Sequence, residues 1–291
     1  MNNCIQQEIL RLTLQKQIHM DSYFQHDSGK IHYTDLGKGS VIMLIHGYLE
    51  TSEIWSSFAK RLSEKFRIII VDLPGHGRSD NVEEVLAMDL MASVLAELLE
   101  NLNISKVFLT GHSLGGYVTV AFADIFPGML SGYCLFHSHP FADDSGKIEK
   151  RLIEAGVVEK GKKDWFIPGS VTKLYSPANL QKFSESLQRS IDIALKVPDK
   201  TIVALLKGMI ARPSRASVME SGKVPCLWIL GAADNLINCR EIQSKVSLPE
   251  NAKVAILENS GHMGFIEEED LALSVLESFI GGLSSPDCTI A

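Results

Sequence analysis

The stretch that most constrains this chain is residues 106–126, KVFLTGHSLGGYVTVAFADIF. Val107, Phe108, Leu109 and Thr110 form a short apolar run rich enough in strand formers to be a buried strand. The chain then turns through Gly111-His112-Ser113-Leu114-Gly115-Gly116. Beyond the turn Val118, Ala121, Phe122 and Ile125 recur at helical spacing, and Pro127 marks the stop. Strand, G-x-S-x-G, helix is the context of a nucleophile elbow, in which a sharp turn lifts the serine hydroxyl clear of the sheet. Gly111 and Gly115 leave room for the tight crossing, and the Leu114 amide at the helix start points where an oxyanion would form. The pentapeptide by itself is weak, since about one chance match is expected in ten chains of this length at average usage. The rest of the sequence must supply the serine's partners.

A serine hydroxyl needs a base, and the base an orienting carboxylate. Ligands of open α/β sheets bind beyond the carboxyl ends of the strands, so polar residues at those ends are the candidates. Asp234 follows the apolar run 226–230, and His262 follows the run 253–257. The order Ser113, Asp234, His262 suits a nucleophile-elbow fold. Gly261 and Gly264 flank His262 and would let its loop bend towards Ser113. Asp143 and Asp144 are the rival acids, and a helix N-cap is the bland alternative for Asp234. A second oxyanion donor is expected from the turn after residues 41–45, where the Tyr48 amide can face that of Leu114. His46 reads as a hydrogen-bonder beneath that turn, while Asp72 and His76 read as residues that hold loops.

Apolar runs at 41–45, 67–71, 107–110, 133–136, 226–230 and 253–257 alternate with amphipathic helical patterns, and residues 22–36 read as a β-hairpin. The expected fold class is therefore α/β: a mostly parallel central sheet with helices on both faces. Alternation lapses between residues 141 and 217, which carry helical patterns at 148–160, 177–197 and 199–211 and no convincing strand. The expected organisation is an N-terminal extension (1–21), a core (22–140 and 218–281), a helical insertion (141–217) and a loose tail (282–291). His137, Phe141, Trp165 and Met263 are the candidates to line a substrate pocket. The basic run Lys147, Lys150, Arg151, Lys160, Lys162 and Lys163 reads first as a solvated helical face.

Within the 291 residues, 45% are hydrophobic and the net charge is −7, which suits a globular core and argues against a nucleic-acid or anionic-membrane partner. The five cysteines contain no C-x-x-C, so buried thiols are expected and no metal site; His137 and His139 near Asp143 and Asp144 lack a further ligand set. No signal peptide and no run of 18 apolar residues is visible, so the expected location is cytoplasmic. The expected partner is a small-molecule substrate, with monomer or homodimer left open.

These residues carry a family resemblance across residues 22–281. His46-Gly47-Tyr48, the stretch DLPGHGRS at 72–79, Gly111-His112-Ser113-Leu114-Gly115-Gly116, Gly231-Ala232-Ala233-Asp234 and Ser260-Gly261-His262-Met263 resemble, in order and spacing, a capped, esterase-like α/β-hydrolase. The resemblance implies a Ser113–His262–Asp234 triad, an oxyanion hole from the Tyr48 and Leu114 amides, no cofactor, and a cap made by the helical insertion. Serine at the elbow separates this chain from dehalogenases and epoxide hydrolases with an aspartate there. Ester hydrolysis is the leading expectation. Carbon–carbon bond hydrolysis, lyase or perhydrolase chemistry, and ligand sensing in a hydrolase-like pocket remain as alternatives.

Overall fold

Each apolar run of the sequence divides its side chains between two faces, because successive residues of a strand point opposite ways. In the computed structural model, which describes residues 20–81 and 83–283, these runs are the parallel strands β3 (Val41–Ile45), β4 (Arg67–Val71), β5 (Val107–His112), β6 (Leu130–Phe136), β7 (Cys226–Gly231) and β8 (Ala252–Leu257). The hairpin β1 (Met20–His26) and β2 (Gly29–Gly37) extends the sheet antiparallel to β4, giving the order β1-β2-β4-β3-β5-β6-β7-β8. Most of the expected extension and tail, residues 1–19 and 284–291, lies outside the described residues.

The helices are α1 (Ser56–Leu62), α2 (Met88–Asn101), α3 (Leu114–Ile125), α4 (Ser145–Glu159), α5 (Lys163–Thr172), α6 (Ser184–Lys196), α7 (Asp199–Ala211), α8 (Ala216–Glu220), α9 (Cys239–Gln243), α10 (Gly264–Glu267) and α11 (Glu269–Leu283). On one sheet face Met43, Ile45 and Leu109 pack with α2 and α3; on the other Ile42, Leu44 and Phe108 pack with α1 and α11. Both cores are closed to solvent, and each Ile or Leu so buried contributes about 1.5–3 kcal/mol. This two-sided burial explains why the parallel strands read as unbroken apolar runs.

Helices α4 to α8 occupy the interval between β6 and β7, where the sequence pattern lapses. Helix α5 escaped the sequence reading because Pro168 and Gly169 lie within it and Gly161 shortly precedes it. The expected helix over 177–197 divides into a short 3-10 turn at Pro177–Asn179 and α6. Helix α7 is seated against the body so closely that a Cβ on Gly208 would lie 1.8 Å from the Leu86 carbonyl oxygen, and the Leu86 amide donates to Ala204.

The elbow too is packed backbone against backbone. A Cβ on Gly111 would come within 2.2 Å of the Gly115 carbonyl oxygen and 2.3 Å of Thr119 Oγ1; one on Gly115 would come within 2.5 Å of the Ile45 oxygen. Backbone cannot yield as a flexible side chain can, so Gly111→Ala is expected to lower stability by about 3 kcal/mol. Chemical denaturation measures this, and a loss below about 0.5 kcal/mol would contradict the packing argument.

Candidate active site

Ser113 stands between β5 and α3 with φ 50° and ψ −113°, a conformation that a side-chain-bearing residue adopts only when its surroundings enforce it. The enforcing contacts are backbone ones: its amide donates to Phe136, its carbonyl accepts from the Gly116 amide, and Ser138 Oγ donates to that same carbonyl at 2.6 Å. The amides of Leu114 and Tyr48 donate to no acceptor among the described residues. They remain available to a ligand.

His262 lies beyond β8, and its Nδ1 is 2.7 Å from Asp234 Oδ2. An ionised carboxylate only accepts, so Nδ1 carries a proton, and in the neutral imidazole Nε2 presents a lone pair. That Nε2 is buried and has no hydrogen-bond partner among the described residues. The other oxygen of Asp234, Oδ1, accepts from the amides of Leu236 at 2.8 Å and Ile237 at 3.1 Å and so holds its own turn. The helix N-cap alternative does not hold, because α9 begins only at Cys239 and its N-cap is Asn238. Gly264 donates its amide to His137 Nε2 at 3.1 Å, which leaves the Nδ1 proton of His137 facing Asp234 Oδ2 at 3.6 Å. His137 therefore sits behind the carboxylate, fully buried, and is not a pocket residue as expected.

The rival acids are engaged elsewhere. Asp143 binds Arg151 and Arg212, with oxygens 2.5 Å from Arg151 Nε and 2.8 Å from Arg212 Nη2, and Asp144 caps α4 through the Lys147 amide. His139 contacts Tyr117 and Phe141, so it does not join His137 in a ligand set. Among the described residues the metal-type cluster is instead His137, Asp234 and His262, whose atoms lie within 4.8 Å of one another.

The loops carrying these groups are held by buried acids that the sequence reading did not single out. Glu50 Oε2 accepts from the Gly47 amide at 2.5 Å and faces His112 Nδ1 at 2.9 Å. His112 Nε2 in turn lies 2.8 Å from the His262 carbonyl oxygen. Glu267 accepts from the amides of Gly261 and Ser176 and from Asn179 Nδ2, tying the His262 loop to the segment after α5. Their local signal was only an acid a few residues from a glycine turn. Gly261 and Gly264 serve close approach and not bending: a Cβ on Gly261 would meet the Ser176 amide at 2.4 Å, and one on Gly264 would meet His137 Nε2 at the same distance. His46 and Asp72 behave as expected, His46 accepting from the Leu73 amide and Asp72 from the Ser52 and Arg78 amides.

Ser113 and His262 open into one cavity of about 870 Å³. Its apolar wall includes Val157, Phe166, Val171, Leu174 and Met209, mostly from α4, α5 and α7. Trp165 lines the cavity as expected, though 81% exposed. Phe141 and Met263 do not line it; Met263 is fully buried in the core beneath the sheet, because the chain turns inward immediately after His262. Polar residues of the wall include Lys147, Lys150 and Arg151, and Tyr48, whose hydroxyl donates to Glu154 Oε1 at 2.7 Å. Burial pushes the Glu154 carboxyl and the Tyr48 phenol above their ordinary values.

Fold and site together define a hydrolase with an elbow serine. Residues 42–273 match the alpha/beta hydrolase family, and the chain belongs to it. Among curated proteins it is similar to the human monoacylglycerol lipase ABHD6, 25% identical over 95% of this chain and 86% of the relative. It is also similar to the pimeloyl-(acyl-carrier protein) methyl ester esterase of Stenotrophomonas maltophilia, 24% identical over 88% of this chain and 99% of the relative. Among solved structures, a malate-bound thermophilic esterase from Thermogutta terrifontis superposes with a TM-score of 0.86 at 22% identity, covering 91% of this chain and all of that one. No helix among the described residues is long and apolar enough to cross a membrane.

Electrostatics divide the buried groups into two sets. Burial works against the charged form of Asp234, but His262 and His137 hold its carboxyl far below the ordinary aspartate value. Burial likewise opposes the charge of Glu50, yet His112 and the Gly47 amide bring its carboxyl below the usual range. The histidines behave in the opposite sense: burial lowers His137 to about 4 and His76 to about 3, and it also depresses His46 and His139. An unfolded chain takes up protons at such sites near pH 6.5, whereas the folded chain does not, so stability falls as pH drops from there towards 4. The depressed carboxylates act in a lower window, losing their contribution only below about pH 4. The melting temperature is therefore expected to decline between pH 7 and 4.5 and to fall further below pH 4. A flat profile from 7 to 4.5 would refute the account.

Proposed function

We propose that this protein is a serine hydrolase of small to medium carboxylic esters, working through an acyl-enzyme intermediate. The observation that carries the reading is His262: Nδ1 is bonded to a buried carboxylate, while Nε2 is unpartnered in the cavity that also holds Ser113. That is the state in which an imidazole accepts a proton from an adjacent hydroxyl. That relatives of this chain are a lipase and a methyl ester esterase favours ester substrates over the other chemistries of the fold.

In this mechanism Ser113 Oγ attacks the ester carbonyl carbon as its proton passes to His262 Nε2. The carbonyl oxygen becomes an oxyanion, received by the free amides of Leu114 and Tyr48. Collapse expels the alcohol, which takes the proton from His262. Water then attacks the acyl carbon while His262 removes its proton, and the acid leaves as Ser113 recovers its hydrogen. Asp234 holds the imidazole in the required tautomer and stabilises the imidazolium that forms. The helical insertion acts as the cap, supplying the apolar wall against which the acyl or alcohol chain lies.

Steady-state hydrolysis of p-nitrophenyl esters of increasing acyl length tests this. Ser113→Ala is expected to abolish turnover, and Asp234→Asn to lower kcat by about 10⁴ through the wrong tautomer. Undiminished turnover in folded Ser113→Ala protein would eliminate the mechanism. A folded wild-type protein inert towards every ester, yet binding a small molecule unchanged, would redirect the assignment to ligand sensing.

A further inference from the structure

The acid–imidazole pair beneath the elbow has no part in the mechanism just given, yet it joins the turn before Tyr48, the elbow and the His262 loop. Gly47 belongs to the turn that offers the Tyr48 amide, His112 immediately precedes Ser113, and the acceptor of His112 Nε2 is the carbonyl of His262 itself. Glu50 is 4% exposed and His112 is fully buried. The rings of Trp55, Phe265 and His262 surround the imidazole, with that of Phe265 centred 4.9 Å away and that of His262 5.0 Å away. Little room exists for either partner to move.

Counting protons makes the arrangement specific. A backbone carbonyl can only accept, so His112 Nε2 carries a hydrogen. Glu50 Oε2 already accepts from the Gly47 amide, so the contact with His112 Nδ1 closes only if one more proton lies between carboxylate and imidazole. A glutamine at position 50 cannot reproduce this. Its oxygen could satisfy the Gly47 amide and His112 Nδ1 together only beside a buried cationic imidazole without a counter-charge, which is costly. Its amide nitrogen could face His112 only by abandoning Gly47.

We infer that Glu50 and His112 are positioning residues of the esterase reaction: one buried acid–imidazole pair fixes the oxyanion turn, the elbow and the His262 loop at a common spacing. The inference rests on the Ser113–His262–Asp234 reading. The pair acts on the geometry between proton acceptor and oxyanion donors, which matters in the transition state more than in substrate binding. A misplacement of about 1 Å there can cost about 10²-fold in rate.

The test compares kcat and KM of wild type, Glu50→Gln, His112→Asn and the double variant on one p-nitrophenyl ester, with Ser113→Ala as reference and circular dichroism to establish folding. Glu50→Gln is expected to lower kcat about ten- to a hundredfold with KM changed less than about threefold, since the misplacement acts on the transition state. The double variant is expected to lose no more than the worse single one, because the two side chains act as a unit. If Glu50→Gln does not fold, Glu50→Asp replaces it in the comparison; it keeps the charge but retracts the carboxylate from Gly47, and a loss in kcat is again expected. Wild-type kcat in either folded variant, a change confined to KM, or losses that multiply in the double variant would overturn the inference. Turnover that persists in Ser113→Ala would instead overturn the underlying mechanism, so the two failures are distinguishable.

Discussion

Everything at the carboxyl edge of the sheet depends on how closely α3 crosses β5. The two glycines of the elbow have no side chain to hold the elements apart, so helix backbone lies against strand backbone at Gly111 and against the end of β3 at Gly115. That approach holds Ser113 in its positive-φ conformation at the wall of the cavity, with the Leu114 amide opening α3 beside it. A looser crossing would let the serine relax to ordinary backbone angles, and its hydroxyl would no longer be presented above the sheet. The strain is sustained by the hydrogen bonds to Phe136 and Ser138, both contributed by the neighbouring strand and its loop.

A second constraint is that the loops must agree with one another. Four of them, after β3, β5, β7 and β8, contribute to the candidate site, and none is rigid by itself. The protein joins them with buried carboxylates. Glu50 connects the loop after β3 to that after β5 and, through His112, to His262; Glu267 connects the His262 loop to the helical insertion; Asp234 spans its own turn and the imidazole. A buried carboxylate is expensive unless each oxygen is satisfied, so each such acid specifies one arrangement of its partners and disfavours slack ones. The His262 amide adds a bond of 2.6 Å to the Leu174 carbonyl, so the insertion is part of what holds the histidine.

Much of this was legible because some residues announce themselves by local pattern. The elbow is contiguous, the apolar runs are strands in any context that covers both faces, and Asp234 and His262 stand just past strand ends. The pocket was less legible. Trp165 was found from composition alone, but Phe141 stays outside the cavity, and His137 and Met263 turn inward to the interior instead. Position after a strand does not reveal which way a side chain points once the loop bends. Helix α5 was hidden by Pro168, which lies in its interior, where a missing amide hydrogen and the proline ring ordinarily read as a break. Glu50, His112 and Glu267 were passed over as functional residues because their partners lie far away in sequence, up to 150 residues for His112 and His262.

The sequence by itself determined the sheet, the serine turn and the order of the three polar residues, since these follow from unbroken apolar runs, glycine placement and the short reach of a strand-end loop. Tertiary structure alone decided which acids face which histidines, which oxygen of Asp234 does which task, and which walls enclose the cavity. The physical reason is directional: hydrophobic burial needs only the right kind of residue on the right face, whereas a hydrogen bond needs a particular atom at about 2.8 Å along a particular line. Local pattern can encode the first. Only the folded chain, with distant segments brought together, can produce the second.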